Sequence, residues 1–280
     1  MRHQTAEPLE HMVLWDDGPT PPPSQTVVLI HGFPDTHTVW TPTAAHLRRR
    51  GFRVVLVALP GFETDRQDTT PHRFDDVVNR LYTTLTKTDA VGATLVGHDW
   101  GAVFLYRLLA RYPDAAGRLV TLEIGASAKS LVITLFVLFY HTLLIAAHTL
   151  GGPIGDRMMR IFCAFFPRPR YPEALRPNAH HGWLYRQAWR EGANPGPWIG
   201  YFRNEIARWT PPASLPVLFI YGTSGLRALQ FHTEAWRQDV TSHNPESEAV
   251  GLAGNHWCFL ESADAFQDAL DRFLGEDDAG

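Results

Sequence analysis

An aspartate lies in a short glycine-bounded segment, Gly97-His98-Asp99-Trp100-Gly101, where the apolar run Ala93-Thr94-Leu95-Val96 gives way to a helical stretch from Ala102 to Tyr112. So abrupt a turn from strand to helix strains the backbone of its central residue and demands small neighbours, a demand that Gly97 and Gly101 meet. The side chain at the apex is presented for covalent chemistry, and its being a carboxylate narrows that chemistry. Attack on an ester carbonyl would give a reactive anhydride. Attack on a saturated carbon that carries a leaving group gives a stable ester, which water can then hydrolyse. A competing reading of Asp99 as a helix N-cap explains an acid at this position. It does not explain the two glycines.

The elements around this turn set its place in the chain. Residues 11–33 read as a strand, a loop rich in proline (Pro19, Pro21, Pro22, Pro23) and a buried strand, Thr26 to His31. A helix is predicted from Thr38 to Arg50, stopped by Gly51, then a strand from Phe52 to Ala58 and an amphipathic helix from Phe74 to Leu85. The strand after the turn helix is Arg118 to Leu122. From Ile124 to Pro212 no strand pattern occurs. The rhythm resumes with a strand at Val217–Tyr221, a helix at Leu226–Gln238, a strand at Ser247–Leu252 and a closing helix at Ala263–Leu274. Strands that are continuously apolar and alternate with helices predict an α/β fold, a mostly parallel sheet covered on both faces. The expected division is an α/β core in two parts, 1–123 and 213–280, with an inserted helical cap at 124–212.

Composition excludes several function classes. The 280 residues are 45% hydrophobic and 19% charged, with 25 basic and 29 acidic side chains, so neither disorder nor nucleic-acid binding is expected. Cys163 and Cys258 form no disulfide framework and no metal-like spacing, and no cofactor or metal is expected. Met1 to Leu14 holds no apolar signal core, and the expected location is the cytoplasm. No Asp, Glu, Lys or Arg occurs between Ser130 and Gly155, a length that meets the criterion for a membrane span. A single span there would put strands of one sheet on opposite sides of a bilayer. The preferred reading is an apolar roof over the site, ahead of contact with a membrane surface. The expected partner is a small apolar substrate.

His31-Gly32-Phe33-Pro34 with Trp40, Gly97-His98-Asp99-Trp100-Gly101 and Gly254-Asn255-His256-Trp257 together resemble the epoxide hydrolase and haloalkane dehalogenase branch of the α/β-hydrolase superfamily. The resemblance covers the core, and the cap matches only in length and apolar character. It implies a covalent alkyl-ester on Asp99 and makes His256 the base for the hydrolytic water. Many relatives carry an acid in the loop after the strand matching Val217–Tyr221, but no Asp or Glu occurs here between Glu205 and Glu234. Others carry it at the end of the strand after the turn helix, where this chain has Glu123, which is therefore preferred as the residue orienting His256. Backbone N–H groups of Phe33 and Trp100 are expected to form the oxyanion hole and to hold Asp99 ionised. In the family the bond before the residue matching Pro34 is often cis. His31 and His98 are expected to brace loop backbone.

The resemblance leaves two leaving groups open. An epoxide oxygen needs a proton donor, in the family usually two cap tyrosines; a halide needs weak N–H donors. Family members with Asn after His-Gly are often dehalogenases, and Phe33 at that position favours the epoxide side. Tyr140 and His141 sit about where the first donor lies, and Tyr201 is the candidate for the second, although Phe202 holds the family's tyrosine position before Arg203-Asn204. Glu63 replaces a family glycine in the loop Gly61 to Asp65. An epoxide hydrolase acting on an apolar epoxide is the leading expectation. A haloalkane or haloacid dehalogenase and a non-catalytic hydrolase-like binding protein are the alternatives.

Overall fold

The computed structural model describes residues 12–17, 22–62, 72–125, 131–165, 176–192, 209–224 and 231–275. Seven strands form one sheet: β1 (Val13–Asp16), β2 (Thr26–Ile30), β3 (Arg53–Val57), β4 (Ala93–His98), β5 (Ala116–Leu122), β6 (Val217–Gly222) and β7 (Glu248–Leu252). Their order across the sheet is β1-β3-β2-β4-β5-β6-β7. β1 runs antiparallel to β3 and every other pairing is parallel. The continuous apolar strands are thus explained, because β2, β3 and β4 are buried along their whole length on both faces.

Alternate residues of each strand feed two cores. Val28, Ile30, Val55 and Leu95 face α2 (Phe74–Lys87) and α3 (Trp100–Arg111). Val27, Leu29, Val54 and Val96 pack instead with Leu47 and with Phe266 and Leu270. These last come from α1 (Thr41–Arg49) and from the closing helix, Ala263–Leu274. Each such side chain, removed from water, contributes roughly 1.5–3 kcal/mol. β4 lies inside the sheet between β2 and β5, so the turn at its end rests on the best-covered part of the molecule.

Between β5 and β6 come α4 (Leu131–Leu150), α5 (Gly152–Ala164), a 3-10 turn at Ala179–Gly182 and α6 (Trp183–Gly192). The one strand-like contact among the described residues of this stretch is a bridge from Ile124 to Phe231. β5 and β6, on either side of α4 in the chain, are hydrogen-bonded neighbours, so α4 cannot be a lone crossing of a membrane. Among the described residues no helix is long and apolar enough to cross one. Tyr140 packs against the main core, and His141, Leu144 and Ala147 of α4 are buried.

Two predicted helices begin later than their apolar patterns suggest. The stretch expected from Thr38 opens as a 3-10 turn, His37–Trp40, and becomes α-helical at Thr41, followed by Pro42 at the favoured first turn. The helix expected from Leu226 is, among the described residues, α7 at Glu234–Thr241. Phe231 is held in the bridge to Ile124, and the Thr233 side chain caps α7 by accepting from the Trp236 N–H at 3.1 Å.

The glycines beside Asp99 allow close backbone approach. A Cβ on Gly97 would lie 2.8 Å from the Ala102 nitrogen, and one on Gly101 would lie 2.7 Å from the His31 carbonyl oxygen. Gly101→Ala is expected to destabilise the fold by about 1–3 kcal/mol, because strand β2 must shift to admit the methyl. A urea midpoint equal to that of the unaltered chain would contradict this.

Candidate active site

Asp99 joins β4 to α3 with φ 52° and ψ −120°, a conformation that non-glycine residues rarely adopt. The sheet below and the helix above impose it. The Phe33 N–H donates to Asp99 Oδ1 at 2.8 Å, and Gly32 lets that loop close in, since a Cβ there would lie 2.6 Å from the same oxygen. The Phe33–Pro34 peptide bond is cis. Trp100 begins α3, so its backbone stands at a helix N-terminus, where negative charge is favoured.

His256 lies in the loop after β7, followed by the short helix α8 (Cys258–Glu261) and by α9 (Ala263–Leu274). Its Nε2 is 3.4 Å from Asp99 Oδ2 and its Nδ1 is 3.8 Å from Glu123 Oε2, ion-pair rather than hydrogen-bond distances. The loop is tightly braced. His98 Nε2 bonds the His256 carbonyl at 2.8 Å, and the Trp257 indole N–H donates to buried Asp35 at 2.7 Å. Burial drives His98 down to about 4, so it is neutral and its Nε2–H is the donor to that carbonyl. His31, also buried and neutral, accepts the Leu59 N–H at Nε2 and bonds the Gly32 carbonyl through Nδ1.

Glu123, the residue after β5, has φ 70° and is 2% exposed. Among the described residues only Asp89, Asp99 and Glu123 are non-glycine residues with positive φ, so two of the three are the carboxylates facing His256. Strain held by surrounding structure concentrates at functional sites. The Gly222 N–H, at the end of β6, donates to Glu123 Oε1, and the Cys258 thiol lies 3.6 Å from the same oxygen. The backbone of the strand whose loop was expected to lack an acid thus anchors the acid from the neighbouring strand.

Burial pushes both partners toward their neutral forms, and mutual attraction overrides it. Desolvation works against the His256 charge, but Asp99 and then Glu123 raise its pKa well above the ordinary imidazole range. Desolvation likewise opposes the Asp99 charge, and His256, His98 and the Phe33 N–H bring the carboxyl below its usual value. Each partner thus favours the charged form of the other, carboxylate for Asp99 and imidazolium for His256.

A pocket opens over Asp99 and His256, walled by Phe33, Phe162, Phe231 and Trp257 and by two tyrosines, Tyr140 and Tyr185. Tyr140 was one of the expected donor candidates; Tyr185 was not. Tyr185 sits on α6 in the run Trp183-Leu184-Tyr185, whose apolar pattern is that of ordinary helix packing, so its type and spacing carried no separate signal. The two rings meet edge to face at 6.0 Å, and the Trp100 indole stands edge to face with Tyr185 at 5.5 Å and donates toward its hydroxyl. His141 does not line the cavity; its Nε2 lies 3.0 Å from the Tyr140 hydroxyl. Tyr201, Phe202, Glu63 and Gly225 lie outside the described residues.

The alpha/beta hydrolase fold family matches residues 25–154, the half of the core that carries the Asp99 turn. The parallel sheet and its strand order agree with that match, and the chain has an α/β-hydrolase fold. The chain is 26% identical to epoxide hydrolase B of Mycobacterium tuberculosis over 118 residues, 41% of this chain and 33% of that one. The chain spans about a third of the length of the first curated relatives it matches. Epoxide hydrolase A of the same organism is 25% identical over 90% of this chain and 91% of its own. A haloalkane dehalogenase loop variant from Bradyrhizobium elkanii superposes with a TM-score of 0.65 at 16% identity, covering 92% of this chain and 91% of that one. At such identity the likeness is one of fold.

The charge arrangement of the site makes a prediction about His256 that needs no substrate. In Asp99→Asn its strongest charge partner is gone, so its pKa is expected to fall. A histidine NMR titration that gives the same value in both proteins would refute the assigned cause.

Proposed function

We propose that this hydrolase opens an apolar epoxide to a diol through a covalent ester on Asp99, with His256 and Glu123 completing the machinery. The carrying observation is the pair of tyrosines, half-buried Tyr140 and buried Tyr185, lining the pocket that holds Asp99. A halide would need free N–H donors, and the indole N–H beside Asp99 is directed at the Tyr185 hydroxyl. An epoxide oxygen needs a proton, which a phenol supplies. The surrounding walls are aromatic or apolar, which suits an uncharged substrate.

The steps follow from the charges. Asp99 attacks an epoxide carbon, the carbon–oxygen bond breaks, and the oxygen takes a proton from a tyrosine. Asp99 is now a neutral ester, so the imidazolium loses its main stabilising charge and surrenders its proton to the phenolate. His256 is thereby a free base beside the ester. It takes a proton from water, whose oxygen attacks the Asp99 carbonyl carbon, and the Phe33 N–H (with the Trp100 N–H) holds the developing oxyanion. Collapse breaks the bond from the carbonyl carbon to the alkyl oxygen, His256 gives its proton to that leaving oxygen to release the diol, and it takes the proton of the new Asp99 carboxyl group, which restores carboxylate and imidazolium. Glu123 remains ionised and orients the ring throughout.

In His256→Gln the first half proceeds without the second. Incubation with styrene oxide is expected to leave an adduct of the epoxide's mass on Asp99, and Asp99→Asn is expected to leave none. Halide release from short haloalkanes with no diol from any epoxide would overturn the reading in favour of dehalogenation. Glu123→Gln should reduce turnover by about a hundredfold or more, while Glu234→Gln and Asp239→Asn change it little. The reverse order of effects would place the third acid elsewhere.

A further inference from the structure

His141 contacts both tyrosines of the cavity without reaching the cavity itself. It is 3% exposed, its Nε2 is 3.0 Å from the Tyr140 hydroxyl, and its ring meets Tyr140 at 4.5 Å and Tyr185 at 4.8 Å, nearly edge to face in each case. Consecutive residues on a helix point about 100° apart and do not ordinarily face each other. Here both side chains of the Tyr140–His141 step converge on one point. We infer that His141 is a positioning residue for the leaving-group acid: its Nε2–H donates to the Tyr140 oxygen, turning the Tyr140 hydroxyl proton into the cavity and stabilising the phenolate left when that proton departs. The inference rests on the epoxide reading above.

A neutral imidazole has one N–H donor and one acceptor nitrogen. Burial holds His141 down at about 3, so it is neutral at any working pH. If Nε2 were the acceptor, it would draw the Tyr140 proton away from the substrate and disable the donor. With Nε2–H as donor the balance is plain: the Tyr140 O–H bond breaks, the proton goes to the epoxide oxygen, and the phenolate keeps a hydrogen bond from Nε2–H. Burial and the Asp99 charge both disfavour that phenolate, raising the Tyr140 pKa, so a donor behind the oxygen is needed. Tyr185 has the same support from the Trp100 indole. Each phenol oxygen thus has a ring N–H behind it and its own O–H available to the cavity.

Two measurements test this. In the unaltered chain, nitrogen NMR of labelled histidine at neutral pH is expected to show His141 protonated on Nε2 and bare on Nδ1; the opposite tautomer would overturn the inference. In the His256→Gln background, His141→Leu is expected to slow adduct formation from styrene oxide by about tenfold to a hundredfold, with the half-saturating concentration unchanged. His141→Gln, which returns an N–H donor at similar reach, is expected to recover most of that loss. Equal rates in all three proteins, or Gln as slow as Leu, would overturn the proposed role. Absence of any adduct with His141 intact would remove the epoxide reading and this inference with it, whereas the nitrogen spectrum reports on the tautomer alone.

Discussion

Glu123 is buried and Asp99 largely so, and both are held in left-handed backbone and turned toward one imidazole. Removing an ionised carboxylate from water is expensive unless charge and hydrogen bonds replace what the solvent gave. Here the replacements are His256 between the two, the Phe33 N–H on Asp99, and the Gly222 N–H with the Cys258 thiol on Glu123. These groups come from the ends of β2, β4, β5, β6 and β7, so only a finished sheet assembles them. The strained φ values persist for the same reason: parallel neighbours fix the backbone on either side of each acid before its own conformation is decided.

The same electrostatics gives the proposed cycle its order. An imidazolium between two carboxylates cannot act as a base. Alkylation removes one negative charge from the site, and the base is released when there is an ester for its water to attack. The proton set free is the one the spent tyrosine lacks. Aromatic walls strengthen each of these couplings by excluding water. The weak hydrogen-bond geometry around His256 fits a ring that must change partners, since its Nδ1 stands 3.8 Å from Glu123 while its main chain is clamped by His98.

What was legible in the sequence was whatever the backbone dictates. The Gly97–Gly101 turn reads clearly because no other residue types fit it, and parallel strands read clearly because burial on both faces leaves them apolar throughout. Glu123 was chosen by elimination, and its anchoring by the Gly222 N–H had no sequence signature because a backbone donor has no residue type. Helix starts were shifted wherever a cap or a bridge, as at Thr233 and Phe231, outweighed the apolar pattern. Tyr185 was missed for a related reason. On an amphipathic helix a tyrosine turned into a cavity and a tyrosine turned into a core occupy the same positions, and only the opposing surface tells them apart.

The uncharged stretch that becomes α4 has its explanation in that opposing surface. A helix of 20 residues without a charge invites a membrane reading, yet the hydrogen bonds between β5 and β6 tie its two flanks into one sheet. Its composition suits what it covers. Tyr140 and His141 stand within the field of Asp99, and in the proposed reaction both must stay neutral for a phenol to donate and an imidazole to support it. An acid on the buried face of α4 would pull His141 toward its charged form, and a base there would compete with His256 for Asp99. Apolar neighbours avoid both, and they keep out water that would satisfy the phenol in place of substrate. The site's chemistry thus constrains the roof as strictly as the turn constrains the nucleophile.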